Sequence, residues 1–294
     1  MNSTSRAKLL PAWTLGAEVY IMGEGAVIKQ QVVGKPKAVQ LDFMPFKFCP
    51  GCHESLVWRA LGEVIDELDI QGKAIACLDI GCSGVLMVGL AVDGLHCLHG
   101  RSTAVAAGVK RVLPQAICFN IGGDGSLCAI GAGHMVNVMM RSDPITTIFL
   151  NNSGYGMTGG QVAPTSLIGL RTTTTPEGRD VQSTGFPLHL SEIAATMLGT
   201  AYVSRVSVHT PANYQKARKA IKTAFQKQMD GVGYSLVEIL CACPPNWGLS
   251  PLAANSFVEE KLIGEFPLGE FKNVDKIEYT VDPEINRFGR VKRG

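Results

Sequence analysis

The sequence predicts an α/β layered domain in which a mostly parallel sheet is flanked by helices. Three observations carry this expectation. Short apolar runs alternate with stretches whose apolar residues recur at helical spacing, the pattern of strand–helix–strand units. The chemistry-bearing motifs Gly81-Cys82-Ser83-Gly84, Gly122-Gly123-Asp124-Gly125-Ser126, Asn151-Asn152 and Cys243 each follow a predicted strand. Ligands of open parallel sheets gather beyond the carboxyl ends of the strands, so four motifs at one edge make a site. Finally, 294 residues without an internal repeat are enough to bury a sizeable core.

Taken in order, residues 1–44 mix Gly, Pro and short apolar pieces without sustained periodicity, and are expected as an N-terminal arm lying on a partner. Residues 54–68 place Leu56, Val57, Leu61, Val64, Ile65 and Leu68 on one helical face. Residues 74–80 read as a buried strand ending at Gly81-Cys82. A helix follows over 103–112, stopped at Pro114. The strand at 116–121 delivers Gly-Asp-Gly, a helix covers 127–139, and the strand at 145–150 delivers Asn151-Asn152. The next forty or so residues are rich in Gly, Thr and Pro, and a loop this long inside a compact domain is functional or mobile. A strand at 202–206, a helix at 212–228 and a strand at 234–240 complete a central domain over 45–250. Residues 251–294 return to mixed charge and are expected as a C-terminal arm.

The net charge of +2 gives no reason to expect nucleic acid or an anionic membrane as partner. Charged residues are only 18% of the chain, which reads as surface given over to partner chains. No apolar run approaches the ~20 residues of a membrane span; the run at 85–92 stops at Asp93. Glu18 and Glu24 interrupt the N-terminal apolar stretch, so no signal peptide is read. Nine cysteines without an export signal imply the reducing cytoplasm, where cysteines hold metals or stay free.

Mg²⁺ takes hard oxygen ligands and bridges phosphate oxygens to one or two protein groups. Asp124 supplies a carboxylate, Asn152 an amide oxygen and Gly154 a backbone carbonyl. Glycines flanking Asp124 allow a close approach to phosphates, and the helix starting near Ser126 would offer them free amides. Gly-Asp-Gly alone is an ordinary strand-to-helix turn. With Asn-Asn following across one helix and one strand, the spacing resembles the thiamine diphosphate-binding motif. His99-Gly100-Arg101 precedes a helix and could touch phosphates or a substrate carboxylate. Thr158-Gly159-Gly160-Gln161 could fold over the phosphates.

Cys49 and Cys52 sit just before a helix, as half of a tetrahedral site would. Four thiolates suit structural Zn²⁺ or an iron–sulfur cluster. Cys82 and Cys243 are distant in sequence yet expected at the same sheet edge, beside the cofactor motifs. That favours a [4Fe–4S] cluster, which would also provide an electron acceptor next to the cofactor. Cys241-Ala242-Cys243 leaves two choices for the fourth ligand, and Cys243, followed by Pro244, is the better one. Cys77, Cys97, Cys118 and Cys128 read as core cysteines.

These residues resemble the β subunits of 2-oxoacid:ferredoxin oxidoreductases. The matching stretches are Phe48-Cys49-Pro50-Gly51-Cys52, Ile80-Gly81-Cys82-Ser83, His99-Gly100-Arg101, Gly123-Asp124-Gly125 and Asn151-Asn152. Tyr155-Gly156-Met157-Thr158-Gly159-Gly160-Gln161 and Cys243-Pro244-Pro245-Asn246-Trp247-Gly248 complete the series, in family order. The resemblance implies the pyrophosphate-domain fold of thiamine diphosphate enzymes. It also implies thiamine diphosphate, Mg²⁺ on Asp124, Asn152 and Gly154, and one [4Fe–4S] cluster on Cys49, Cys52, Cys82 and Cys243. Cys82, Ser83, Gly123, Gly125, Ser126, Tyr155 and Thr158 would join the cofactor site, with His99 and Arg101 as candidate catalytic residues. The implied reaction is CoA-dependent oxidative decarboxylation of a 2-oxoacid to acyl-CoA and CO₂, with electrons passing to ferredoxin or a ferredoxin-like subunit. An α subunit would supply the pyrimidine-binding half and its activating glutamate.

His53, where many relatives carry glycine, and Ser126, where acidic residues are frequent, depart from the family pattern without removing a ligand. The apolar segment at 83–88 tilts the expected substrate toward a branched-chain, aromatic or other apolar 2-oxoacid and away from 2-oxoglutarate. Two other readings remain open at this point: a non-redox thiamine decarboxylase or carboligase subunit, and a zinc-stabilised assembly subunit without catalysis. The basic stretch Lys216, Arg218, Lys219, Lys222 and Lys227 is a solvated helix face or a dock for acidic ferredoxin.

Overall fold

Apolar runs too short to make helices become the strands of one twisted sheet, and the periodic stretches between them become its covering layers. The computed structural model describes residues 18–23, 26–31, 34–39 and 48–279; the rest of the expected arms lies outside the described residues. Within the expected N-terminal arm, β1 (Glu18–Gly23) and β2 (Ala26–Gln31) pair antiparallel with each other. The main sheet contains β3 (Ala74–Leu78), β4 (Asp93–His96), β5 (Ile117–Gly123), β6 (Thr146–Asn151), β7 (Thr200–Ser207), β8 (Tyr234–Leu240) and β9 (Gly269–Asn273). Their order is β4-β3-β5-β6-β8-β7-β9. Every pairing is parallel except that of β9, which lies antiparallel to β7.

Strands β6, β7 and β8 are buried along their whole length, as expected where helices cover both faces of a parallel sheet. On one face, α1 (Glu54–Glu67) and α6 (Pro211–Met229) bring Val57, Leu61, Ile65, Ile221 and Phe225 against Leu78, Phe119, Ile121 and Val237. Phe119 and Phe225 meet with ring centroids 5.3 Å apart, and truncating either would cost about 3–5 kcal/mol. On the other face, α2 (Ser102–Val112), α3 (Ala132–Arg141) and α5 (Leu190–Thr196) bury Ala106, Met135, Val138 and Ala194 against Cys118, Phe149, Val203 and Leu236.

The chain leaves β3 for β4 on one side and returns to β5 on the other. The reversal opens a crevice at the carboxyl ends of β3 and β5, the place where doubly wound sheets bind ligands.

Four features differ in detail from the sequence expectations. The apolar run before Asp93 forms 3-10 turns over Cys82–Gly89 and leads into β4, a short edge strand of four exposed residues. The helix expected from 127 begins earlier, as a π-helical stretch over Gly125–Ile130, before α3 takes over; such wide turns gather at functional sites. The long loop carries α4 (Val181–Thr184) before α5. Beyond β8, α7 (Pro244–Trp247) and α8 (Pro251–Phe257) are followed by α9 (Ile263–Glu265) and β9. Ala254, Val258, Leu262 and Phe266 of this stretch, in the segment expected as an arm, pack on Leu240 and Ala242. The basic face of α6 is partly neutralised: Arg218 pairs with Glu63 and Glu67, and Lys222 with Glu67.

Candidate functional site

At the carboxyl end of β5 the chain turns so tightly that a Cβ on Gly122 would stand 2.9 Å from Leu127 Cγ. This turn places Asp124, only 2% exposed, beneath the end of β6. Its carboxylate accepts from the Thr165 hydroxyl and, at 3.3 Å, from the Asn152 N–H. Burial outweighs those donors and pushes its pKa up to about 7. One amide atom of the Asn152 side chain lies 2.6 Å from the Gly154 carbonyl oxygen and 2.9 Å from Asp124 Oδ2. With nitrogen in that place, Asn152 donates to both. With oxygen there, three oxygens converge and Nδ2 faces Glu54 Oε1 at 3.5 Å. An octahedral Mg²⁺ with bonds of 2.0–2.1 Å sets neighbouring ligand oxygens ~2.9 Å apart, close to the two spacings measured from the Asn152 amide.

Ser153 holds this turn in the left-handed region, with φ of 61°, which a non-glycine residue occupies only when its surroundings enforce it. Its N–H donates to Asn151 Oδ1 at 3.1 Å, its hydroxyl donates to the Thr165 carbonyl, and its own carbonyl accepts from Ser166 Oγ at 2.7 Å. Asn151 in turn donates to Glu238 at 2.7 Å. Glu238 is paired with the fully buried Arg205, which also holds Glu192.

Glu54 stands between this oxygen cluster and the cysteines. It is buried, and its Oε2 has no hydrogen-bond partner. Burial first, then the charge of Asp124, raises its pKa to about 7. The sequence carried a signal for it: a carboxyl falls on the same helical stripe as Val57, Leu61 and Ile65.

The four candidate cysteines come together from three parts of the chain. A Cβ on Gly156 would lie 3.3 Å from Cys243 Sγ and 3.7 Å from Cys82 Sγ. Both of these act electrostatically on Cys52, and Cys49 acts on Cys82 and Cys243. Burial raises Cys82 to about 12 and Cys243 to about 11, and the Glu54 charge adds to both. Burial likewise carries Cys52 well above the usual thiol range. Thiols so placed become thiolates only when a cationic centre is bound. Among the described residues, no three His, Cys, Asp or Glu side chains stand close enough to hold a single metal ion. Cys77, Cys118, Cys128 and Cys241 are buried and lie within the core clusters.

The remaining wall is built on Asp79. Burial would raise its pKa, but donors from Gly100, Ser126, Ser102 and Ile80 outweigh that and hold it low. His99 Nδ1 lies 3.2 Å from Asp79 Oδ1, which fixes the ring beside Gly125. Arg101, the residue before α2, turns instead toward His134 and does not line the cavity.

A cavity of about 420 Å³ occupies this crevice. Cys82, Ser83, His99, Gly123, Asp124, Gly125, Ser126, Asn152, Gly154, Tyr155 and Thr158 all face it. Ile80, Gly81, Gly156 and Met157 from the matching stretches also line it, and Glu54, Ala129 and Ile130, which were not singled out from the sequence, complete it. Larger grooves of about 590 Å³ and 660 Å³ lie between α2 and α3 and beside α1, but neither gathers these motifs.

One buried side chain orders the loop over the site. Arg179 donates to the carbonyls of Gly185, Thr184 and Phe186 on one side, and to those of Ala163, Pro164 and Ser166 on the other. The stretch it pins contains Thr165, the partner of Asp124.

Residues 79–239 match the family model described as "Thiamine pyrophosphate enzyme, C-terminal TPP binding domain". The crevice therefore lies in a thiamine pyrophosphate-binding domain. The chain is 36% identical over 226 residues to ketoisovalerate oxidoreductase subunit VorA of Methanothermobacter thermautotrophicus, covering 77% of this chain and 47% of that one. It thus spans about half the length of that relative. Against 2-oxoglutarate synthase subunit KorB of Methanocaldococcus jannaschii it is 33% identical over 264 residues, 83% of this chain and 93% of that one. A solved 2-oxoglutarate:ferredoxin oxidoreductase from Magnetococcus marinus, with 2-oxoglutarate, coenzyme A and succinyl-CoA bound, matches with a TM-score of 0.66 and 26% identity. The match covers 86% of this chain and 89% of that one. The chain belongs to the β-subunit family of the 2-oxoacid:ferredoxin oxidoreductases.

Proposed function

We propose that this chain is the diphosphate-binding and cluster-binding subunit of an enzyme that oxidatively decarboxylates a 2-oxoacid to acyl-CoA and CO₂, with electrons passed to a ferredoxin-type acceptor. The observation that carries the reading is the convergence of Asp124, Asn152 and Gly154 oxygens directly beside Cys82 and Cys243. Asp124, Asn152 and the Gly154 carbonyl hold Mg²⁺, and Gly123, Gly125, Ser126, Tyr155 and Thr158 surround the diphosphate. Thiamine diphosphate supplies the electron sink for loss of CO₂. Cys49, Cys52, Cys82 and Cys243 hold a [4Fe–4S] cluster as the first electron acceptor. Cys82 and Cys243 lie at the same loop as the cofactor motifs, which supports a cluster able to take an electron from the cofactor over a structural zinc.

His99, oriented by Asp79, offers its other ring nitrogen to a substrate oxygen or phosphate. Ile80, Ile130 and Met157 give the cavity an apolar wall, and its described lining contains no lysine or arginine. Glu54 adds an acid. That lining favours a branched-chain or aromatic 2-oxoacid over 2-oxoglutarate, whose distal carboxylate would lack a cation. Arg101, turned toward His134, stands outside the described lining. An α subunit supplies the pyrimidine-binding half, and ferredoxin-like chains complete a cytoplasmic complex. No helix among the described residues is long and apolar enough to cross a membrane.

The test is to measure iron, acid-labile sulfide, zinc and thiamine diphosphate in the anaerobically purified native complex. The expected result is about four irons and four sulfides for this chain, after subtracting clusters held by other subunits, with cofactor present. Zinc without iron would move the reading to the non-redox thiamine enzyme, and absence of thiamine diphosphate to the assembly subunit. A panel of 2-oxoacids then tests the preference for apolar substrates.

A further inference from the structure

The cysteine set and the cation site share one short loop. Residues 154–158 line the cavity with one side of the chain. The other side of Gly156 lies against sulfur: a Cβ there would stand 3.3 Å from Cys243 Sγ and 3.7 Å from Cys82 Sγ, and 3.8 Å from Asn152 Nδ2. The loop is tied to itself. Tyr155 N–H donates to the Gln161 carbonyl, Gly160 N–H to the Tyr155 carbonyl, and Gln161 Nε2 to the Thr158 carbonyl. It can therefore shift only as a unit.

Asn246 locks that unit to the cysteines. Its side-chain amide occupies the space that a Cβ on either Gly154 or Gly160 would need, so it is wedged between the two ends of the loop. Its Oδ1 is buried without a hydrogen-bond partner, so the contact is one of shape. The backbone N–H of the same residue donates to the Cys243 side chain. One residue thus touches a cysteine through its main chain and both ends of the cofactor loop through its side chain. Neither glycine has a side chain that could yield, and close-packed interiors transmit such displacements instead of absorbing them.

We infer that Asn246 and the loop over 154–160 couple the two sites, so that filling the cysteine set pre-forms the cation and diphosphate site, and the reverse. The inference rests on the function proposed above. Asn246 is a positioning residue in this scheme. With the sulfurs of Cys82 and Cys243 fixed by iron, the Gly156 backbone is fixed, and with it the Gly154 carbonyl. Coupling between two binding events is reciprocal, so either direction can be measured.

The experiment uses this chain in complex with the partner subunit that completes the cofactor site, purified anaerobically and reconstituted with iron and sulfide. Iron release to a chelator is followed by absorbance with and without Mg²⁺ and thiamine diphosphate, whose binding is measured separately by calorimetry. In the unsubstituted chain, Mg²⁺ with thiamine diphosphate should slow iron release about ten-fold, within the usual range of coupling between sites. Asn246→Ala removes the wedge, and Gly156→Ala pushes the loop off the sulfurs. Each should bring the protection below about two-fold, and Asn246→Ala should do so while iron and cofactor still bind. No protection in the unsubstituted chain overturns the coupling, whatever the variants do. Full protection retained in both variants overturns the assignment of the path. A chain that takes up no iron, or binds no thiamine diphosphate, refutes the proposed function itself, a separate outcome read from the first two measurements.

Discussion

Replacing Asp124 by asparagine should change the protein in two opposite directions. The substitution keeps the shape that meets Thr165 and Asn152 but removes the only carboxylate of the three converging oxygen groups. Deleting one partner of a buried charge pair costs about 3–5 kcal/mol, so Mg²⁺-dependent binding of thiamine diphosphate should weaken by two to three and a half orders of magnitude at about 1.4 kcal/mol per decade. The cation-free chain should respond the other way. Asp124 has a folded pKa of about 7 against an ordinary value of 3.8. Between those values the native state holds a proton that the unfolded state has lost. Stability without the cation therefore falls as pH rises from about 4 to about 7, by about 1.4 kcal/mol per pH unit, and the penalty is fully present above pH 7. The Asp124→Asn chain lacks this penalty. If half of the roughly 4 kcal/mol is recovered at pH 8, melting should rise by roughly 4–8 °C. Thermal scans of the metal-free chain from pH 5 to 8, with calorimetric titration of Mg²⁺ and thiamine diphosphate, test both halves. Binding within ten-fold of the unsubstituted protein, or a lower melting temperature at pH 8, would refute the assignment.

Further substitutions probe the other groups. Cys82→Ser and Cys243→Ser should each abolish the iron content attributable to this chain, while Cys77→Ser and Cys118→Ser should leave it intact; colorimetric iron and sulfide assays decide. Glu54→Gln removes a charge that raises Cys52 and Cys82, so alkylation of the metal-free thiols should shift to lower pH by roughly one unit. An unshifted pH–rate profile would show that Glu54 does not act on them. Arg205→Ala leaves Glu238 buried without its cation and should destabilise the chain by about 3–5 kcal/mol, read from denaturant midpoints. A loss under about 1 kcal/mol would mean that the pair contributes little to stability.

The alternation of strands and helices was legible because β5, β6 and β8 are short, mostly apolar runs, and each delivers its motif at its carboxyl end. Glycines at positions of close approach, as at Gly122, marked the turn at Asp124. Strand β4 escaped because its four residues are all exposed and carry no apolar alternation. Strand β9 escaped because its place depends on pairing with β7 across more than sixty residues of chain. The same applies within the site. Thr165 and Asn246 matter only through contacts with residues far away in the sequence, and a threonine in a loop or an asparagine in the four-residue α7 carries no periodic signature. Glu54 was the exception, since a carboxyl on an apolar helical stripe is visible in the sequence itself.

The six carbonyls gathered by Arg179 have a consequence for how this chain can change over time. Within the stretch between Ala163 and Phe186 one guanidinium gathers six main-chain oxygens and is indifferent to the side chains that accompany them. Apart from Thr165, Ser166, Thr172 and Thr175, whose side chains make bonds of their own, the amino-acid identities along that stretch are therefore open to drift, and with them whatever surface the loop presents to a neighbouring chain. The position of Thr165 beside Asp124 stays put throughout. Variation in partner recognition and constancy in the reaction centre can coexist in one loop, and a single exchange at Arg179 would end both.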